Sequence, residues 1–222
     1  MNLPAQLFSS DSLLLANYAF AWLLYRAARG APWQKLLSNT GMMNGMIGLM
    51  FCTPVFWHLN AGIHPGFNFH LIGSTLFLLM FGWHIALIAL SIVMLITWLY
   101  SGLDLITLGL NGLLMLAVPM LPGEILLRFA RRYLPKNFFI FVLLNGFFCA
   151  ALATILMMLV TTLVLLALTH YSWPQLQYHY LIPAPILVFA EAFATGAILT
   201  GFTVSHPEAV MNFSETEYLT GK

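Results

Sequence analysis

The sequence predicts an all-α polytopic membrane helix bundle of about seven segments, one of them short or re-entrant, with the N-terminus outside and the C-terminus cytoplasmic. Three observations carry that expectation. Of 222 residues, 61% are hydrophobic and only 7% are charged, against roughly 25% charged in an ordinary soluble domain. Eight Lys+Arg with seven Asp+Glu cannot coat a water-soluble domain of this length, so membrane lipid must be the main solvent. The uncharged blocks have lengths suited to a hydrocarbon core about 30 Å thick, which takes about 20 residues per helical crossing. The basic residues gather in two clusters, and such clusters favour the cytoplasmic side. A net charge of +1 without a basic run argues against nucleic acid as a partner.

Taken in order, the first span covers about 12–25, or begins somewhat earlier, and is closed by Arg26, Arg29 and Lys35. Asp11 and no Lys or Arg precede it, so it lacks the positive region of a cleaved signal peptide and is expected to persist. The second span covers about 36–57. The block 70–100 would be about 46 Å long as one helix at 1.5 Å per residue, too long for one untilted crossing. Gly82, followed by Trp83 and His84, is the polar and flexible interruption near its middle. Dividing the block there gives a short segment and a nearly full span. The next span, about 105–127, contains Pro119, Pro122 and Gly123 and ends at Arg128, Arg131, Arg132 and Lys136. Two further stretches, about 137–168 and 181–202, precede a polar tail. The expected organisation is a single transmembrane domain over 1–204 and a cytoplasmic tail over 205–222.

Charge bias tests the division at Gly82. With Arg26 to Lys35 inside, a single crossing between 70 and 100 puts the second basic cluster outside, whereas two crossings put both inside. A re-entrant hairpin would also send the second cluster to the opposite side. Seven segments follow. His58, His64, His70, His170 and His179 then lie on the outer side, and His84 and His206 on the cytoplasmic side.

The loop Asn60 to His70 is the most informative local stretch. Pro65 and Gly66 make a turn, flanked by His64 and His70, with Asn60 and Asn68 nearby. Neutral imidazole suits Zn, Cu, Ni and Co, so a turn folding His64 back over His70 supplies two metal ligands. The alternative is a set of ordinary interfacial histidines, and His58 belongs with either reading.

Charges at membrane depth are expensive and face a bundle interior or cavity. Glu124 precedes Arg128 by four residues, the spacing of an intrahelical pair. Glu191 sits among Ala190, Ala192, Ala194 and Gly196, where small residues let helices approach closely. A structural pairing and a pathway role both remain open for it. Asn111 and Asn145 suit hydrogen bonds across helices, and Gly41 with Gly45 a close-packing face. Met42, Met43, Met46 and Met50 read as apolar lining rather than thioether copper ligands, and Cys52 and Cys149 as small buried thiols. No nucleophile elbow, zinc helix, phosphate loop or dinucleotide fingerprint is present. The expectation is therefore a non-enzyme without an ATPase motif or prosthetic group, dependent on a partner or a gradient for energy.

Several stretches resemble the substrate-capture permease of cobalt and nickel energy-coupling-factor ABC transporters, the CbiM/NikM-like family. They are the outer loop ending in His70-Leu-Ile-Gly73, the Gly82-Trp83 interruption, Leu103 to Asn111, Pro122 to Arg128, and Pro185 to Gly196. The resemblance covers nearly the whole chain. It implies a multi-pass bacterial inner-membrane subunit that captures a divalent transition metal, cobalt or nickel, as transported substrate. It further implies a transmembrane coupling protein and cytoplasmic ATPase subunits as partners. The family holds its ion with the N-terminal amine, the backbone and imidazole of a second-position histidine, and the loop histidine, a nitrogen-rich square-planar set. His70 matches the loop histidine and Met1 the amine. Asn2 keeps the backbone nitrogen but lacks the imidazole. Either His64 replaces it, or metal specificity has changed or been lost. The alternative function is a non-transporting membrane scaffold or assembly factor of the same fold.

Overall fold

A computed structural model describes residues 2–59, 61–62 and 68–218. Ser9 and Asn39 start the first two long helices by accepting, with their side-chain oxygens, the amides of Ser12 at 3.3 Å and Met42 at 2.9 Å. A 3-10 turn, Ala5–Leu7, leads into α1 (Ser10–Gly30), followed by α2 (Trp33–Ser38) and α3 (Thr40–His58). A short antiparallel ladder then pairs β1 (Ala61–Gly62) with β2 (Asn68–Phe69), Ala61 opposite Phe69. The Pro65–Gly66 turn lies outside the described residues. Four longer helices complete the bundle: α4 (Ser74–Ser101), α5 (Leu105–Tyr133), α6 (Ile140–Leu168) and α7 (Trp173–Ser205). Among the described residues these four are long and apolar enough to cross a membrane. A 3-10 turn at Pro207–Ala209 and α8 (Glu215–Tyr218) end the described chain.

Gly82 breaks α4 where the sequence predicts it. Its φ of 73° and ψ of 158° are non-helical and accessible essentially to glycine alone. The two limbs, 74–81 and 83–101, run in opposite directions through the bundle, giving seven crossings with α1, α3, α5, α6 and α7. The end-to-end contacts show this directly. At one end His58 meets Tyr100, and Trp98 Nε1 donates to Thr107 Oγ1 at 3.0 Å. At the other, Gly30 packs on the His84 ring and Met211 packs on Gly82. There too, Arg131 donates to Asn212 Oδ1 at 2.7 Å. Both basic clusters therefore share one end of the bundle, the arrangement that requires two crossings between 70 and 100.

The limb 74–81 forms the centre of the molecule, and every side chain in it is buried. It is about 12 Å long at 1.5 Å per residue, less than half a hydrocarbon core of about 30 Å. The irregular segment 70–73 leads into it from the end of the bundle that holds the histidine loop. Non-helical backbone at membrane depth persists only where protein satisfies its polar groups. Around this limb it does. Pro119 has no amide to offer the carbonyl of Met115, and Ser74 Oγ donates to that carbonyl at 2.8 Å. The wide helical turn Gly112–Ala117 lies immediately before Pro119. At the far end Met211 N donates to Met80 O at 2.6 Å and Asn212 Nδ2 to Leu78 O at 3.0 Å.

The outer surface is apolar: Leu15, Phe51, Tyr100 and Ile186 are 71%, 77%, 82% and 77% exposed. Such a belt needs lipid around it, and the chain is a multi-pass plasma-membrane protein. Both cysteines are free, but only Cys149 is buried; Cys52 lies on the exposed face of α3. Gly41 and Gly45 face Glu208 and Ala209, so their close-packing surface receives the post-α7 turn.

Candidate metal-capture site

The N-terminal segment is drawn into the bundle by one side chain. Asn111, fully buried on α5, accepts the Leu3 amide at 2.9 Å and donates to the Leu3 carbonyl at 3.1 Å. Its second donor bond goes to Thr107 O at 3.1 Å. Asn17 fixes the same region of α5 by accepting the Gly109 amide at 3.0 Å and donating to Ile106 O at 2.6 Å. Asn111 thus joins a helix to the chain terminus, so Asn2 enters a recess of about 400 Å³ that Asn68, Trp98 and Asp104 also line. Asn68 precedes His70 by two residues, so the terminus and the histidine loop meet there.

His70 is 5% exposed. Its ring lies 5.6 Å from that of Trp57, and Nδ1 is 3.2 Å from the Leu71 carbonyl. A carbonyl can only accept, so Nδ1 carries the proton and Nε2 the lone pair. That is the tautomer a metal-binding histidine needs, with its other nitrogen oriented by a backbone acceptor. Trp57 Nε1 donates to Ile72 O at 3.4 Å, and Phe69 stacks on Tyr180 with centroids 5.6 Å apart. These aromatic supports carry no sequence signature beyond their size.

Glu191, 4% exposed, accepts the Ile72 amide at 2.7 Å and the Gly73 amide at 2.6 Å, one on each carboxylate oxygen. The small residues around it admit a loop backbone instead of a helix side chain. Glu124 lies at the basic end and pairs with Arg128 at 2.8 Å, the spacing its sequence predicts. His58 is exposed, its ring 5.8 Å from Tyr100. Met1 and His64 lie outside the described residues. Among the described residues no three His, Cys, Asp or Glu side chains gather as a metal cluster. The described part of the site therefore offers one oriented imidazole, on a loop whose Asn68 shares a recess with Asn2.

Residues 2–209 match the family described as the cobalt uptake substrate-specific transmembrane region, CbiM. The chain belongs to this family. A crystal structure of a truncated transition metal transporter superposes with a TM-score of 0.67 at 20% identity, over 93% of this chain and 99% of that one. At that identity the likeness establishes the shared fold. Among curated proteins none matches. As a CbiM-family member the chain is an integral-membrane permease-type protein of transition-metal transport, and not an enzyme. Membership implies the coupling and ATPase partners typical of its transporter superfamily.

Proposed function

We propose that the chain captures a divalent ion, cobalt or nickel, as transported substrate from the outer side of a bacterial inner membrane. His70 Nε2 is the first ligand. The Met1 amine and the Asn2 backbone nitrogen are the next, and the His64 imidazole stands in for the one that Asn2 lacks. His58 serves at most as an outer-surface donor. Four nitrogens of this kind suit a square-planar late transition metal. A transmembrane coupling protein and cytoplasmic ATPase subunits act on the basic end, where residues 205–222 form a cytoplasmic extension. Glu124 serves structurally there through its pair with Arg128.

The observation that carries this reading is the buried His70 ring, whose Nδ1 is committed to the Leu71 carbonyl. Titrating the purified full chain with Ni(II) or Co(II) tests it by calorimetry. One ion per chain is expected, and His70→Ala should abolish the binding. Unchanged stoichiometry in that variant sinks the assignment. The missing imidazole at Asn2 favours one competing reading, a scaffold of the same fold. That reading requires no binding of either ion and a stable membrane-protein complex without an ATPase.

A further inference from the structure

Segment 70–73 is the part of the outer loop that has left regular structure and entered the bundle. It carries His70 at one end and passes directly into the buried limb 74–81. Within it the Leu71 carbonyl orients the His70 ring at 3.2 Å. Two side chains from outside hold it, and one of them, Trp57 Nε1, donates to the Ile72 carbonyl at 3.4 Å. The shortest bonds are those from the Ile72 and Gly73 amides to the two oxygens of Glu191, at 2.7 and 2.6 Å. Glu191 and those amides are 118–119 residues apart in sequence, so α7 clamps a segment that otherwise receives only the longer Trp57 bond. Both carboxylate oxygens are engaged by backbone, so the side chain works through the segment.

We propose that Glu191 is a positioning residue for metal capture, fixing segment 70–73 so that His70 Nε2 faces the ion. The inference rests on the capture reading above. Groups that orient a metal-ligating histidine typically contribute about 10- to 100-fold in metal affinity. A carboxylate suits the task because each of its oxygens accepts an amide. Glutamine presents one oxygen and one NH2, so one of the two amides loses its acceptor.

The test compares full-length wild type, Glu191→Gln and His70→Ala in detergent. Hydrogen exchange of residues 70–73 is read without metal, and Ni(II) titration is followed by calorimetry and by the visible absorption of the bound ion. Glu191→Gln should exchange faster at Ile72 and Gly73 and bind Ni(II) about 10- to 100-fold more weakly. Its absorption band at saturation should match wild type, because the donor atoms are the same. Unchanged exchange overturns the proposal, as does faster exchange with wild-type affinity, the result of a purely structural role. A shifted band at saturation overturns it too, since Glu191 would then be a ligand. Wild type that binds neither Ni(II) nor Co(II) overturns the capture reading, and this one with it. If Glu191→Gln does not fold, Glu191→Asp takes its place. It keeps both acceptor oxygens on a side chain one methylene shorter, so faster exchange at Ile72 and Gly73 with weaker Ni(II) binding is expected, and faster exchange with wild-type affinity overturns the proposal.

Discussion

At Asn111 a single amide satisfies both main-chain polar groups of Leu3 and the carbonyl of Thr107. Replacing it with leucine leaves the buried amide and carbonyl of Leu3 without partners, at about 1–3 kcal/mol each where water cannot reach them. Asn111→Leu should therefore lower the thermal midpoint and raise hydrogen exchange over residues 2–8. Asn145 is also buried, but its Oδ1 has no partner among the described residues, so Asn145→Leu should cost markedly less in the same melt. Equal losses would sink the distinction. Asn2 offers the opposite experiment. Asn2→His restores the imidazole of the family pattern and should tighten Ni(II) binding about tenfold, ~1.4 kcal/mol, in a calorimetric titration; unchanged affinity argues that another donor already fills that place. The sequence made Asn111 and Glu191 legible as costly polar residues inside spans. Their partners were not legible, because those partners are backbone groups of Leu3, Ile72 and Gly73, and a main-chain amide looks the same at every position.

Among the elements, the limb 74–81 depends on groups remote in sequence at both ends. Glu191 takes the amides entering it, while Met211 and Asn212 donate to the carbonyls leaving it. Arg131 in turn donates to the Asn212 carbonyl at 3.1 Å and to its Oδ1 at 2.7 Å. Gly82 ends the limb at a φ of 73°. A Cβ there strains the backbone by about 1–3 kcal/mol and also meets the Met211 side chain. Gly82→Ala should therefore destabilise the protein in thermal unfolding. Gly48→Ala is the control: it lies inside α3, where a Cβ meets nothing within 4 Å, and alanine is the better helix former. Equal midpoints for the two variants would remove the strain argument. The break itself was readable from the length of the 70–100 block and its Gly82-Trp83-His84 interruption. The docking of residues 207–213 beneath it was not readable. That stretch is too short to show periodicity, yet Ala209, Val210 and Phe213 are buried, and Phe213 packs against Phe141 with ring centroids 5.2 Å apart.

Across the whole molecule, two opposite limbs in one hydrophobic block decide which residues share a membrane face. Lys35 follows α1 and Lys136 follows α5. The structure brings both basic regions to the end where His84, Met211 and Asn212 meet. Ser101 closes α4 at the opposite end, beside Tyr100 and His58. Clustered Lys and Arg favour the cytoplasm, so the end that holds the histidine loop is expected to face outward, as the proposed metal capture requires. Single cysteines at exposed positions report this directly, once Cys52 and Cys149 are replaced by serine and alanine. In intact spheroplasts an impermeant maleimide should label Ser101→Cys, and it should label Lys35→Cys and Lys136→Cys only after permeabilisation. Labelling of Lys35→Cys and Lys136→Cys from opposite sides would mean that the 70–100 block crosses once, and the seven-segment arrangement would fail. Labelling of both from outside, with Ser101→Cys protected, would keep the fold and reverse its orientation. The recess that Asn2 and Asn68 line would then open to the cytoplasm, where it could not take up an external ion.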